Sequence, residues 1–251
     1  ILVEGIDYTV VSFARSGNSP ESVATYDLVK KCRPDVKQLV ITCNREGALA
    51  RKAGQDPQSY CILLPEETDD RSLVMTSSFS TMAMVASCLP WLDDEDFLLE
   101  TVERLGEGAD RIYSLYGDML ADFGRLPFQR ACFLGSDTLF GTMEECQLKM
   151  QEMTDGQVAA KFESFLGLRH GPQVFVDGRC VVVAALSSDP SVRRYEMDML
   201  KELKQKEQGM AVLVVCDRAD EALREVAGNI VELFPEGQTI PDQFRIMTDV
   251  V

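Results

Sequence analysis

The stretch that most constrains the chain runs from Val11 to Ser22: Val-Ser-Phe-Ala-Arg-Ser-Gly-Asn-Ser-Pro-Glu-Ser. The β-branched run Thr9-Val10-Val11 enters it, and a helical pattern (Val23, Ala24, Tyr26, Leu28, Val29) leaves it. The expected local structure is strand, polar turn, helix. Ser19 suits the helix cap, Pro20 the first helical position, and Glu21 and Ser22 the first turn. Such a turn aims backbone N–H groups and hydroxyls out of the strand end, at the positive pole of a helix dipole. It suits an anion such as phosphate. It lacks the Gly-Lys-Ser/Thr ending of a Walker loop and the three glycines of a dinucleotide fingerprint. An ordinary strand-to-helix turn can carry the same residues.

Further strands are expected at Gln38–Thr42 and Tyr60–Leu64, with a short helix over Ala48–Ala53 between them. Strands alternating with helices at this spacing imply parallel pairing and a doubly wound α/β sheet, with ligands at the carboxyl ends of the strands. A helix opening at Met75–Ser80 and reaching about Leu89 carries four hydroxyl residues at its start: Thr76, Ser77, Ser78 and Ser80. Capping alone accounts for such a cluster. The amphipathic stretch Asp93 to Phe123 contains Gly106, Gly108 and Gly117, so it reads as two or more helices connecting two halves. The pattern then restarts: strand Arg130–Leu134, turn Gly135-Ser136-Asp137-Thr138, helix Gly141–Met153. Strands follow at Val181–Leu186, Met210–Cys216 and Ile230–Phe234, with helices at Val192–Lys206 and Glu221–Val226, and Pro241–Val251 reads as the start of a further segment. The repeated strand–turn–helix suggests duplication of one α/β unit.

Charge excludes one class of partner. The net charge is −16, and a nucleic-acid backbone needs a basic face. No apolar run approaches the roughly 18 residues that span a bilayer, so no membrane partner is expected. The eight cysteines stand singly, with no C-x-x-C, a usage that points to a reducing cytoplasm. One histidine and no cysteine cluster make a metal site unexpected. No cofactor is indicated.

In the helix over 144–153, Glu145, Lys149 and Glu152 fall at i, i+4 and i+7 and so share one face. A solvated ion-pair ladder gives the same spacing. Downstream, Arg169-His170-Gly171-Pro172 sets the chain's one histidine before a Gly-Pro turn. An imidazole held in a rigid turn can act as acid, base or donor near neutral pH.

Taken together, Ser-Gly-Asn-Ser-Pro-Glu-Ser, Glu-x-x-Leu-Lys-x-x-Glu and Arg-His-Gly-Pro resemble, in order, the motifs of the sugar isomerase (SIS) domain family. Within it, Ser-Phe-Ala-Arg-Ser-Gly-Asn-Ser-Pro-Glu-Ser and Gly-Leu-Arg-His-Gly-Pro are similar to the galactosamine-6-phosphate deaminase/isomerase (AgaS) branch. The resemblance implies two three-layer αβα domains with parallel sheets, Rossmann- or flavodoxin-like. The first would be 1–92 with its N-terminal part missing, followed by a helical connector 93–126 and a second domain 127–251. The chain would be truncated at both ends, without the family's first Gly-Ser loop and its C-terminal tail, and Asp137 stands where relatives usually have a second glycine.

The resemblance also implies a metal-independent enzyme that moves a proton between C1 and C2 of a phosphorylated hexose or hexosamine. Galactosamine-6-phosphate would give tagatose-6-phosphate and ammonia. Glu152 would be the base and His170 the ring-opening group, often across a subunit boundary in a homodimer or homotetramer. Ser16, Gly17, Asn18, Ser19, Thr76, Ser77 and Ser78 would bind substrate, with Glu145 and Lys149 supporting the site. The alternatives are a deglycase or glucosamine-6-phosphate-type isomerase, and a non-catalytic sugar-phosphate sensor, which would keep the phosphate loop and need no base.

Overall fold

The computed structural model describes residues 2–234 and 239–250. The chain divides into two compact units, Ile1–Ala86 and Ser87–Val251.

The first unit follows the alternation expected of it: β1 (Thr9–Ala14), α1 (Pro20–Cys32), β2 (Lys37–Thr42), α2 (Ala48–Gln55), β3 (Ser59–Leu63) and α3 (Ser77–Cys88). The strands lie parallel in the order β1-β2-β3, with Phe13 beside Ile41 and Ile41 beside Ile62. Side chains alternate faces along a strand, and β2 shows it. Val40 packs with Tyr26, Leu49 and Ala53, whereas Ile41 packs with Cys43, Leu64 and Met82. That alternation sets α1 and α2 on one face of the sheet and α3 on the other. The start of α1 is as the sequence predicts, with Pro20 in its first turn and Lys30 and Lys31 in its last.

The second unit opens with α4 (Glu95–Arg111) and α5 (Gly117–Gly124), joined by a widened π turn over Ile112–Tyr116. The break predicted in this stretch falls before Gly117, while Gly106 and Gly108 are accommodated inside α4. Then follow β4 (Arg130–Leu134), α6 (Thr138–Met153), β5 (Ala159–Glu163), α7 (Phe165–Arg169), β6 (Cys180–Ala185), α8 (Pro190–Gln205), β7 (Ala211–Cys216), α9 (Glu221–Val226), β8 (Asn229–Glu232) and α10 (Ile246–Asp249). The sheet is parallel, in the order β5-β4-β6-β7-β8. Cys132 and Leu134 face one core with α7, α8 and α9. Ala131 and Phe133 face another with α4, α5 and α6. The α/β class with parallel strands and helices on both faces is therefore as expected.

Strand β5 and helix α7 were not expected. Ala-Ala-Lys-Phe-Glu makes an edge strand with a weak apolar signal. The described part of Pro241–Val251 forms a single 3₁₀ turn (Asp242–Phe244) and α10, with Phe244 fully buried; Val251 lies outside the described residues. All eight cysteines are unpaired. No helix of the described residues is long and apolar enough to cross a membrane.

Candidate active site

The turn after β1 is held by its carbonyl groups. Arg15 O accepts from Thr42 Oγ1 (3.3 Å), Ser16 O from Asn44 Nδ2 (2.9 Å), and Gly17 O from Leu49 N (3.0 Å). Every described peptide bond is trans. In a trans unit the N–H points opposite the C=O. The N–H groups of Ser16, Gly17 and Asn18 are therefore turned away from the β2–α2 segment that the carbonyls grip. The Asn18 side chain joins the same clasp, its Oδ1 accepting from Ala48 N (2.9 Å) at the start of α2. Gly17 sits at φ +64°, where a side chain would be strained. Gly47, which sequence reasoning missed, is needed for a different reason: a Cβ there would lie 2.6 Å from Ser16 O. Ser19 caps α1 by position only, since its side chain makes no capping hydrogen bond.

Arg15, also missed, donates from Nη1 to Ser72 O (2.6 Å), linking this turn to the segment before α3. There the hydroxyl cluster meets a partner that the sequence did not suggest. Asp70 Oδ1 accepts from Thr76 Oγ1 (2.7 Å) and Ser77 N (3.0 Å). Its Oδ2 accepts from Thr76 N (2.8 Å), Ser78 N (3.0 Å) and Ser78 Oγ (2.5 Å). Burial opposes ionisation of Asp70, but the hydrogen bonds from Ser78 and Thr76 prevail and hold its carboxyl well below the usual range. Thr76 and Ser77 are exposed and Ser78 is buried.

In the second unit the predicted face of α6 forms. Lys149 Nζ lies 2.9 Å from Glu145 Oε1 and 2.9 Å from Glu152 Oε2. Burial lowers the Lys149 pKa, yet the two carboxylates outweigh it and raise it, so the ammonium stays charged. One Glu152 oxygen is thus clamped, and the other, Oε1, has no hydrogen-bond partner among the described residues. Asp137, before α6, adopts φ +50°, a conformation that glycine takes without strain. His170 caps α7 by position, its N–H donating to Gly167 O (3.1 Å). Gly171 follows at φ +132° and Pro172 opens a 3₁₀ turn. The His170 side chain is exposed and has no hydrogen bond to Glu145, Lys149 or Glu152. In sum, the Ser16–Ser19 turn and the start of α3 lie in the first unit, while the α6 clamp and His170 lie in the second.

Parallel strands wound with helices on both faces place the chain in the doubly wound α/β class. No family model matches the chain. It is 40% identical over 207 residues to the D-galactosamine-6-phosphate deaminase AgaS of Escherichia coli, covering 82% of this chain and 53% of that protein. It is 38% identical to the protein of that name from a Shewanella strain, over 83% of this chain and 53% of that one. The crystal structure of tagatose-6-phosphate ketose/aldose isomerase from Escherichia coli superposes with a TM-score of 0.89 at 34% identity, covering 99% of this chain and 66% of that one. The chain belongs to the sugar isomerase (SIS) family. It spans about half the length of the curated relatives it matches.

Proposed function

We propose that the protein is an aldose/ketose isomerase of sugar phosphates, converting galactosamine-6-phosphate to tagatose-6-phosphate and ammonia. The α6 clamp carries this reading. Moving a proton between adjacent carbons needs a carboxylate with a free oxygen and a fixed direction. Lys149 fixes Glu152 by one oxygen and leaves the other available. In the ring-opened substrate Glu152 takes the C2 proton, and the electron pair moves toward the C1 carbonyl to give an enolamine. The same carboxyl returns the proton to C1. The resulting C2 imine adds water and expels ammonia, leaving the ketose.

The Ser16–Ser19 turn grips the 6-phosphate through the outward N–H groups of Ser16 and Gly17 and its hydroxyls, the Asn18 N–H being given to Ser16 Oγ (3.3 Å), and that remote binding orients the reacting carbons. His170 serves ring opening, and the protein acts as a homodimer or homotetramer in a reducing compartment. The retained Glu152 favours this reading over a non-catalytic sensor, which needs no base. The proposed names of substrate and product rest on the relatives' names.

The test is proton exchange in D2O. Galactosamine-6-phosphate, glucosamine-6-phosphate, tagatose-6-phosphate and fructose-6-phosphate are supplied separately, with deuterium at C1 and C2 followed by NMR and ammonia assayed in parallel. Deuterium should enter the first and third, with ammonia from the first alone. Glu152→Gln should lower exchange by about 10³-fold or more. Binding without exchange for every sugar would leave a sensor and sink the enzyme.

A further inference from the structure

The second unit has a crevice of its own at the carboxyl ends of its strands. From β4 the chain moves to β5 on one side and returns to β6 on the other. The strand order reverses there, and doubly wound sheets open a crevice at such switch points. A cavity of about 280 Å³ lies in it, with a lining that includes Ser136 and Asp137 after β4, Phe165 and Leu166 after β5, and Tyr195 and Glu196 in α8. That volume is just below the roughly 300–1,000 Å³ of sites for drug-sized ligands, so it suits a small occupant. None of these residues belongs to the α6 clamp or to the Ser16–Ser19 turn.

Glu196 gives the cavity its chemistry. The residue is 1% exposed. Its Oε2 accepts from Ser187 N (2.8 Å), while Oε1 is buried with no hydrogen-bond partner. An unpaired buried carboxylate oxygen is costly. Burial pushes the Glu196 carboxyl up, against the Ser136 hydroxyl, the Ser187 N–H and Arg245. Arg245 does not neutralise it, because that guanidinium is held by Asp249 (2.7 Å), with Asp242 at 3.6 Å and Asp217 at 3.8 Å. The terminal torsion of a glutamate is soft, so a small rotation presents Oε1 to a donor in the cavity.

The surroundings disfavour an anion. The first-turn N–H groups of α8, on Ser191 and Val192, are spent on Asp189, and Ser188 N is spent on Asp242. The α6 end has no side-chain cap, but its cap residue is Asp137, whose carboxylate would repel an anion there. One basic side chain stands nearby: the Arg194 guanidinium lies over the Tyr195 ring, 5.2 Å from its centroid. Phe165 and Leu166 offer an apolar wall, and Ser136 and Tyr195 offer hydroxyls.

We propose that this crevice is a second ligand site, taking a small hydroxylated primary amine whose ammonium pairs with Glu196. It is separate from the proposed phosphosugar site and does not depend on that function.

The experiment titrates the ¹⁵N-labelled full chain at pH 7 with D-galactosamine, its neutral twin D-galactose, and inorganic phosphate, following amide shifts by NMR. Galactosamine should move the amides of Ser136, Asp137, Tyr195 and Glu196 and bind at least tenfold tighter than galactose, the weight of a charge-assisted hydrogen bond. Phosphate should leave these amides in place. Glu196→Gln keeps an acceptor for Ser187 N, removes the charge and should abolish the tenfold preference. Should it fail to fold, Leu166→Lys changes a side chain that is 48% exposed, sets a cation at the cavity wall and should weaken galactosamine several-fold. Equal binding of the two sugars, no binding of galactosamine, shifts confined to other residues, or phosphate binding in the crevice would each overturn the proposal. So would a preference that survives Glu196→Gln, or Leu166→Lys where that variant is used. The readout is binding, so a protein that exchanges no proton in any phosphosugar would end the proposed function and leave this test intact.

Discussion

Two helix starts in the first unit look alike in sequence and differ in what they leave unspent. Both α1 and α3 begin in serine-rich turns after a parallel strand. At α1 the carbonyls of Arg15, Ser16 and Gly17 are bound inward and Ser19 makes no side-chain cap. At α3 one aspartate takes five donors. Elsewhere, α4, α8 and α9 are likewise closed by Asp94, Asp189 and Asp220, whose side chains accept from first-turn N–H groups. Every helix has a positive end, so the dipole alone does not choose a phosphate site. The choice lies in which ends the protein has already neutralised with its own carboxylates. In a chain of net charge −16, an open end is how an anion can be held at all.

The comparison breaks most completely if the open turn is distorted. Gly47→Ala would drive a methyl to 2.6 Å from Ser16 O, and the obstacle is backbone, which cannot swing aside. The carbonyl clasp must shift. We expect a stability loss of about 2 kcal/mol and a fall in phosphosugar affinity of at least tenfold, read by chemical denaturation and calorimetry. An Ala variant with wild-type affinity would show that the clasp does not set the N–H directions.

A smaller effect probes the closed end. Ser78 is fully buried and its hydroxyl donates to Asp70. Ser78→Ala leaves that carboxylate one donor short, at a cost of about 1–2 kcal/mol. The same bond sets a pH dependence. The folded pKa of Asp70 is depressed, so the unfolded chain binds the proton more readily. The contribution is complete above the ordinary carboxylate range, and it is lost as pH falls below about 4 through the lower folded value. Urea titrations from pH 6 to pH 2.5 should show this acid loss in the wild type and a shallower one in Asp70→Asn. Equal slopes would mean that Asp70 contributes nothing to acid stability.

The two ends also show what a sequence can disclose. The α1 start was legible because its signals are local: Ser19, Pro20 and a β-branched run before them. The α6 clamp was legible because helical periodicity fixes which side chains meet. Asp70 was not, since it reaches Thr76–Ser78 across a loop and outside the usual capping window. Asn18 was expected to meet the ligand, yet its Oδ1 serves α2, a helix beginning thirty positions later in the chain. Gly47 gives no signal until the fold brings it against Ser16 O. Strand β5 escaped notice because Lys161 and Glu163 interrupt its apolar pattern. Local chemistry was readable, whereas choices between equivalent local chemistries were made by tertiary contacts.

The least perturbing test isolates binding from folding. Ser19 is exposed and its hydroxyl makes no cap bond, so the folded state gains nothing measurable from its oxygen. Ser19→Ala should therefore change stability by less than about 0.5 kcal/mol, unlike Ser78→Ala. At an open anion site the same hydroxyl donates to phosphate, and losing one such hydrogen bond weakens binding by roughly five- to tenfold. Denaturation and phosphosugar calorimetry on the one variant give both numbers. Stability unchanged with weakened binding fits an end kept open for a ligand. A stability loss without a change in binding would make Ser19 an ordinary cap, and the distinction between α1 and α3 would disappear.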